Sequence, residues 1–429
     1  MRRIAVSVFI FVVVIISFLS AFGSRETKEK ENRDWFIYDS YQNAGDYEAA
    51  GEFSAVDGSI RSVVIRWRVG DITVEEGDDI ALTVSENVSG LSDDEKMHIL
   101  VKDGVLYVEF CASGYNFTRR DRRKPLKLEI PSGLSLTIVT SVSDISINRF
   151  TGSTLSLEST TGSINIGDIT LTGDLSLKTV TGDLSVGNFS AVNADFHTVT
   201  GKVETGKIEC DKARVKVSSG DVWIDDFTVL GDAYFKSSSG NISLSGKAGT
   251  LSINTSVGSV SSSSLSVASS AEIKVTTGDI EISSLSAGSA DLSASSGNIT
   301  ITSLSAGQTR LTASSGNITI SSLSSGPLEI SSSIGDVRID SLDTESFNIG
   351  TTIGDVSLTL PSPADGEVKT TTGDVYFSPL PGNTALKYKS RSGNLSYDGL
   401  LSYSDGVFTI GSGDHLISVS TSTGNLTVK

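Results

Sequence analysis

Histidine, cysteine and proline are scarce in this chain of 429 residues, at three, two and seven copies. His98, His197 and His415 lie far apart, as do Cys111 and Cys210, so no His/Cys metal cluster and no CxxC pair can be drawn from them. No serine has a His/Asp arrangement at a recognisable spacing, which removes the usual nucleophile triad. Positive charge is the minority sign. With 34 Lys and Arg against 51 Asp and Glu, a net charge of -17 repels phosphate backbones and argues against nucleic acid as a partner. Long helical periodicity is also missing. What remains is a 38% hydrophobic, 20% charged chain with 42 glycines, the composition of a folded protein rather than a disordered acidic tail.

Only one long apolar run is present. Met1-Arg2-Arg3 precedes Ile4 to Phe22, interrupted by Ser7, Ser17 and Ser20 and followed by charged residues 25–34. A basic start, an apolar stretch and a polar exit form an export signal, with Ala21 and Gly23 suited to cleavage before Ser24. The stretch is also near the ~17–25 residues that span a bilayer. Residues 1–23 are therefore either a signal peptide or an N-terminal membrane anchor. Residues 24–52 read as a linker, and 53–140 as a strand-rich region with alternating segments such as Val63–Trp67, Ile80–Val84, Val105–Phe110 and Leu126–Ile130.

Residues 141–429 are one repeat. Fourteen glycines, from Gly162 through Gly393 to Gly424, follow each other at steps of 20, 19, 19, 20, 18, 20, 19, 19, 19, 19, 19, 20 and 31 residues, with Ser143 one step before the first. Two residues after each glycine the side chain is aliphatic, as at Ile164, Val222, Ile299 and Leu426. Five residues before it stands a large apolar residue, and three before it a mostly small one. Alternation on both sides of a glycine corner means strands joined by a tight bend, each turning every second side chain inward. A 19-residue unit cannot bury itself alone and is too short for a βαβ crossover of about 30 residues. Stacked at about 4.8 Å, about fifteen turns predict an all-β parallel β-helix on the order of 70 Å long. The 31-residue step predicts a hairpin insertion over 396–412 near the C-terminal end of the stack.

Asp follows the corner glycine at 183, 221, 279, 336, 355 and 374, and Asn at 241, 298, 317, 394 and 425. Calcium is one reading of this column; corner chemistry, with side chains bonded to nearby backbone N–H groups, is favoured because one Gly-Asp pair per turn is sparse for a calcium repeat. Asp225 and Asp226 read as solvated charges rather than an acid/base couple. The basic run Arg119-Arg120-Asp121-Arg122-Arg123-Lys124 reads as a solvated loop. Turns this uniform leave no loop to wall a substrate groove. Cys111 and Cys210 are expected to be unpaired thiols.

Val69-Gly70-Asp71-Ile72, Leu128-Glu129-Ile130-Pro131-Ser132-Gly133, the tandem Thr-Thr-Gly-Asp-Ile turns and the ending Thr423-Gly424-Asn425-Leu426-Thr427-Val428 resemble the bacterial putative-adhesin family of β-strand-repeat proteins. The resemblance covers about residues 60–429. It implies an exported or membrane-attached protein of the cell envelope, linked to surfaces or envelope stress and without assigned catalytic residues. The expectation is a non-enzymatic envelope protein, adhesin-like or scaffolding, that meets a glycan or protein ligand along its surface. It has no catalytic, cofactor-binding or metal site, and it touches the membrane through residues 1–23 if these are retained. A carbohydrate-active β-helix enzyme or an envelope-stress regulator is the alternative.

Overall fold

The computed structural model describes residues 36–56, 58–77, 81–117, 123–397, 402–404 and 407–429. The leader, 1–23, and residues 24–35 of the linker lie outside the described residues. About 72% of the chain is strand, and the regular part is a parallel β-solenoid of about 13 turns at a spacing of ~19 residues, with irregular turns at both ends. Among the described residues there is no α-helix, and none long and apolar enough to cross a membrane.

One turn shows how the sequence makes the coil. Along Ile280–Ser296, the residues Ile280, Ile282, Leu285, Ala290, Leu292 and Ala294 are buried. The two-residue alternation slips between Ile282 and Leu285 and again before Ala290, so each turn bends twice besides the glycine corner. The turn has three short sides where the sequence suggested two strands. Every residue lies directly over its counterpart, for example Ile280 on Ile299 and Leu292 on Leu311, so the core is a set of aliphatic columns. Burying each Ile or Leu stabilises the stack by about 1.5–3 kcal/mol.

The corner requires glycine for two reasons. From Gly162 to Gly373, and at Gly424, φ lies between 134° and 156°. A Cβ at any of these positions would also sit 1.9–2.3 Å from the carbonyl oxygen of the corner one turn below. Backbone therefore packs on backbone, and no side chain fits between. Small polar residues three before the glycine complete the corner. Thr179, Thr198, Ser237 and Thr351 donate their hydroxyls to the carbonyl of the preceding corner glycine at 3.0–3.2 Å.

Sequence order and stacking order part at both ends of the rod. Strand Ser62–Val69 lies parallel between Val105–Glu109 and Ser135–Val142, and Ile72–Glu76 lies between Leu126–Ile130 and Ile145–Gly152. Residues 62–130 thus supply two further turns. Antiparallel strands Leu82–Glu86 and Met97–Lys102 then pair with the outermost of these and reverse the strand direction. At the opposite end the segment His415–Thr423 inserts between Asp365–Thr372 and Thr384–Ser392. The corners stack in the order Gly373, Gly424, Gly393, where the glycine comb predicted simple succession. Val407–Ile410 pairs antiparallel with Thr384–Ser392 and itself carries Ser402–Ser404.

Replacing Gly316 with alanine is expected to lower stability by about 2–3 kcal/mol or more, since φ is +146° and a carbonyl oxygen lies 2.0 Å from the new Cβ. Gly350→Ala, where nothing lies within 4 Å, is expected to stay within about 0.5 kcal/mol of the parent; denaturant titration of the two variants measures the difference. Hydrogen exchange checks the inserted turn: amides of His415–Thr423 are expected to exchange as slowly as those of Asp365–Thr372, and fast exchange would show a frayed terminal strand instead.

Candidate functional site

The Asp/Asn column is a side-chain-to-backbone ladder, interrupted at Lys202. The Asn317 N–H donates to Oδ1 of Asn298 at 2.9 Å, Asp336 to Asn317 at 2.9 Å, Asp355 to Asp336 at 2.8 Å and Asp374 to Asp355 at 2.7 Å. Each side chain accepts from the turn above, and Ser163 and Ser259 do the same where they replace Asp or Asn. Among the described residues no group of three or more His, Cys, Asp or Glu is placed to hold a metal ion.

Lys124 is not part of a solvated loop. It occupies the corner position beneath Gly70 and is 1% exposed. Its ammonium donates to Glu86 Oε2 at 2.7 Å, to the Glu95 carbonyl at 2.7 Å and to the Phe110 carbonyl, and lies 4.3 Å from the Phe110 ring centre. Burial lowers its pKa, and the Glu86 charge opposes that shift. The ion pair lies buried at the end of the core, at 1% exposure on both partners. Residues 118–122, with most of the basic run, lie outside the described residues, and Arg123 is exposed. Cys111 and Cys210 are free and buried, their thiols pushed up to about 12 by desolvation, and they belong to turns at least five apart in the stack.

On the side just before the corner a cationic column runs against the net charge of the chain. Lys178, His197, Lys216 and Lys236 stand on four successive turns. Arg214 neighbours them and lies 5.7 Å from the Tyr234 ring. Burial lowers the pKa of His197; Asp195 pulls it up, and Lys216 and Lys178 push it down.

The side just after the corner carries a concavity that the uniform turn length concealed. An open trough of about 450 Å³ is lined on its walls by Trp223, Asp225 and Glu281 and floored by Ser243, Ser245, Ser261 and Ser263. It lies where serines on two successive turns stand between Trp223 and Asp225 on one side and Glu281 on the other, and the first of those turns is a residue short at the bend. Asp225 and Asp226 together span the bend between Ile224 and Phe227, whereas Ser245 alone spans it in the next turn, between Leu244 and Gly246. At the shortened bend Gly246 has φ +150°, and a Cβ there would meet the Phe227 carbonyl at 2.2 Å. The following turn restores the lost residue between Ser261 and Leu265. The sequence holds the signal as the consecutive steps of 20, 18 and 20 residues at Gly220, Gly240, Gly258 and Gly278. Trp223 is 57% exposed, and its Nε1–H donates to Asp225 Oδ1 at 2.9 Å. Ser245 and Ser263 share a hydroxyl hydrogen bond of 2.7 Å across the floor.

A family model described as Toastrack DUF4097 matches residues 60–272, 214–302 and 266–429, which together run from residue 60 to residue 429. The chain belongs to this family. Among solved structures it is similar to a putative cell adhesion protein from Clostridium sporogenes, at 9% identity over 88% of this chain and 98% of that one, with a TM-score of 0.16. A putative adhesin from Bacteroides fragilis is similar at 12% identity, with coverage of 88% and 96% and a TM-score of 0.17. One from Parabacteroides merdae gives 12%, 76% and 95%, and 0.17. No curated protein matches the chain.

His197 provides a local check on the cationic column. Its NMR titration midpoint is expected below the ordinary histidine range, to rise in Lys216→Met and to fall in Asp195→Asn. Because the folded value lies below the unfolded one, its contribution to stability is present above the unfolded pKa and is lost as pH falls.

Proposed function

We infer that this is a non-catalytic, exported protein of the cell envelope, adhesin-like or scaffolding, that makes contact through the long sides of its rod. The carrying observation is the surface itself. The sides after the corner are continuous sheet with hydroxyl-rich outward columns, such as Ser243, Ser261, Thr300 and Thr319, and the trough is an open dent rather than an enclosed chamber. Such a surface offers area and repetition in place of a water-excluding site. The apolar run of residues 4–22 behind Arg2 and Arg3 supports export, as does the adhesin-family resemblance of residues 60–429.

The carbohydrate-enzyme alternative meets a geometric obstacle at the trough. Asp225 and Glu281 stand three turns apart, about 14 Å at the sheet spacing. Paired glycosidase carboxylates stand about 5–9.5 Å apart. Asp225 is also committed to the indole N–H of Trp223.

The purified chain is expected to bind isolated envelope fragments saturably and to release no reducing ends from glycans incubated with it. Time-dependent release of reducing ends would overturn the non-catalytic reading, and absence of saturable binding would overturn the contact role.

A further inference from the structure

We propose that the trough beside Trp223 is a binding site for a neutral oligosaccharide of two or three sugar residues. This rests on the surface-contact reading above and assigns it a ligand class. Trp223 is the one tryptophan among the described residues that faces solvent; Trp67 is 2% exposed. The polar edge of the Trp223 indole is already satisfied by Asp225, which fixes the ring and leaves its apolar faces as the unused surface. A pyranose ring offers the complement, with an apolar C–H face for the indole and a rim of hydroxyls for what lies beyond it.

What lies beyond is chosen for hydroxyls. The floor is serine in both turns beneath the trough, and each hydroxyl can donate and accept, as sugar hydroxyls do. At the far wall stands Glu281, three turns and about 14 Å from Trp223, which suits two or three linked sugars rather than one.

The same geometry disfavours other occupants. An extended peptide needs unpaired backbone groups to add a strand, but here the sheet is continuous from Val222 through Ile242, Val260 and Ile280. An acidic glycan meets Asp225 and Glu281 in a chain of net charge -17. Carboxylates beside a tryptophan accept hydrogen bonds from neutral sugar hydroxyls without that repulsion.

The test is calorimetric titration of the 429-residue chain with N-acetylchitotriose, laminaritriose, maltotriose and, as the anionic arm, trigalacturonate. At least one neutral trisaccharide is expected to bind with a Kd below about 1 mM. Trp223→Ala is expected to weaken that binding by about tenfold or more, and Ser243→Tyr, which fills the trough, to do the same. Both residues are on the outer surface, so unchanged thermal melting shows that the rod is intact. Undiminished binding by both variants, or tighter binding of trigalacturonate, would overturn the assignment. Should no trisaccharide bind while envelope fragments still do, the trough assignment fails and the contact role stands; if neither binds, both fail.

Discussion

Everything in this molecule depends on one close approach, that of a backbone carbonyl against the α-carbon of a glycine directly above it. At each corner the chain reverses within a space that admits no side chain, and the left-handed φ there is open to glycine alone. That contact sets the vertical register. Once the corners are stacked, the aliphatic residue two positions later and the hydroxyl three positions earlier must fall into columns. The hydroxyl then satisfies the carbonyl that the corner turns out of the sheet. The Asp/Asn ladder satisfies the next N–H along in most turns, so the corner is closed by hydrogen bonds on both sides.

The period and the inward residues were legible because stacking imposes the same demand in every turn. Ile280, Ile299 and Ile318 answer one requirement repeatedly, and repetition is what a sequence displays best. Three features escaped that logic. Lys124 fills a corner position, but residues 111–123 separate it from its turn's first strand, and its burial depends on Glu86 and Phe110, which are distant in sequence. The order of the last turns was hidden because the Gly393 and Gly424 turns carry equivalent inward residues, so either could lie on Gly373. The half-buried Leu395, where other turns bury this position, marks the outer one only once the fold is known. The third side of each turn showed only as a slip in the alternation.

The trough stands between these cases. Its trace, a short turn between two long ones, is present in the spacing of the glycines, but near-uniform turns imply that no loop walls a groove. A recess needs no such loop, because the rungs of a solenoid are only about 4.8 Å apart. On that scale two rungs of serine between larger side chains, one of them a residue short, make a recess walled by the rungs on either side. A repeat protein can therefore build a local recess without any inserted loop, by shortening one turn and lengthening those beside it. Gly246, with φ +150°, is the residue that lets the shortened bend close.

The insertion of His415–Thr423 between two turns encoded earlier has a consequence for how the rod is made. A solenoid assembled strictly from one end could add each turn as it emerges from the ribosome or an export channel. Here the turn containing Thr384–Ser392 has no finished surface to land on until the later segment has arrived, so roughly the last fifty residues must dock as one unit. Maturation of that end is a terminal event, separate from the growth of the remainder, and a ribosome stalled before residue 415 would hold a rod whose final aliphatic layer is still open to water.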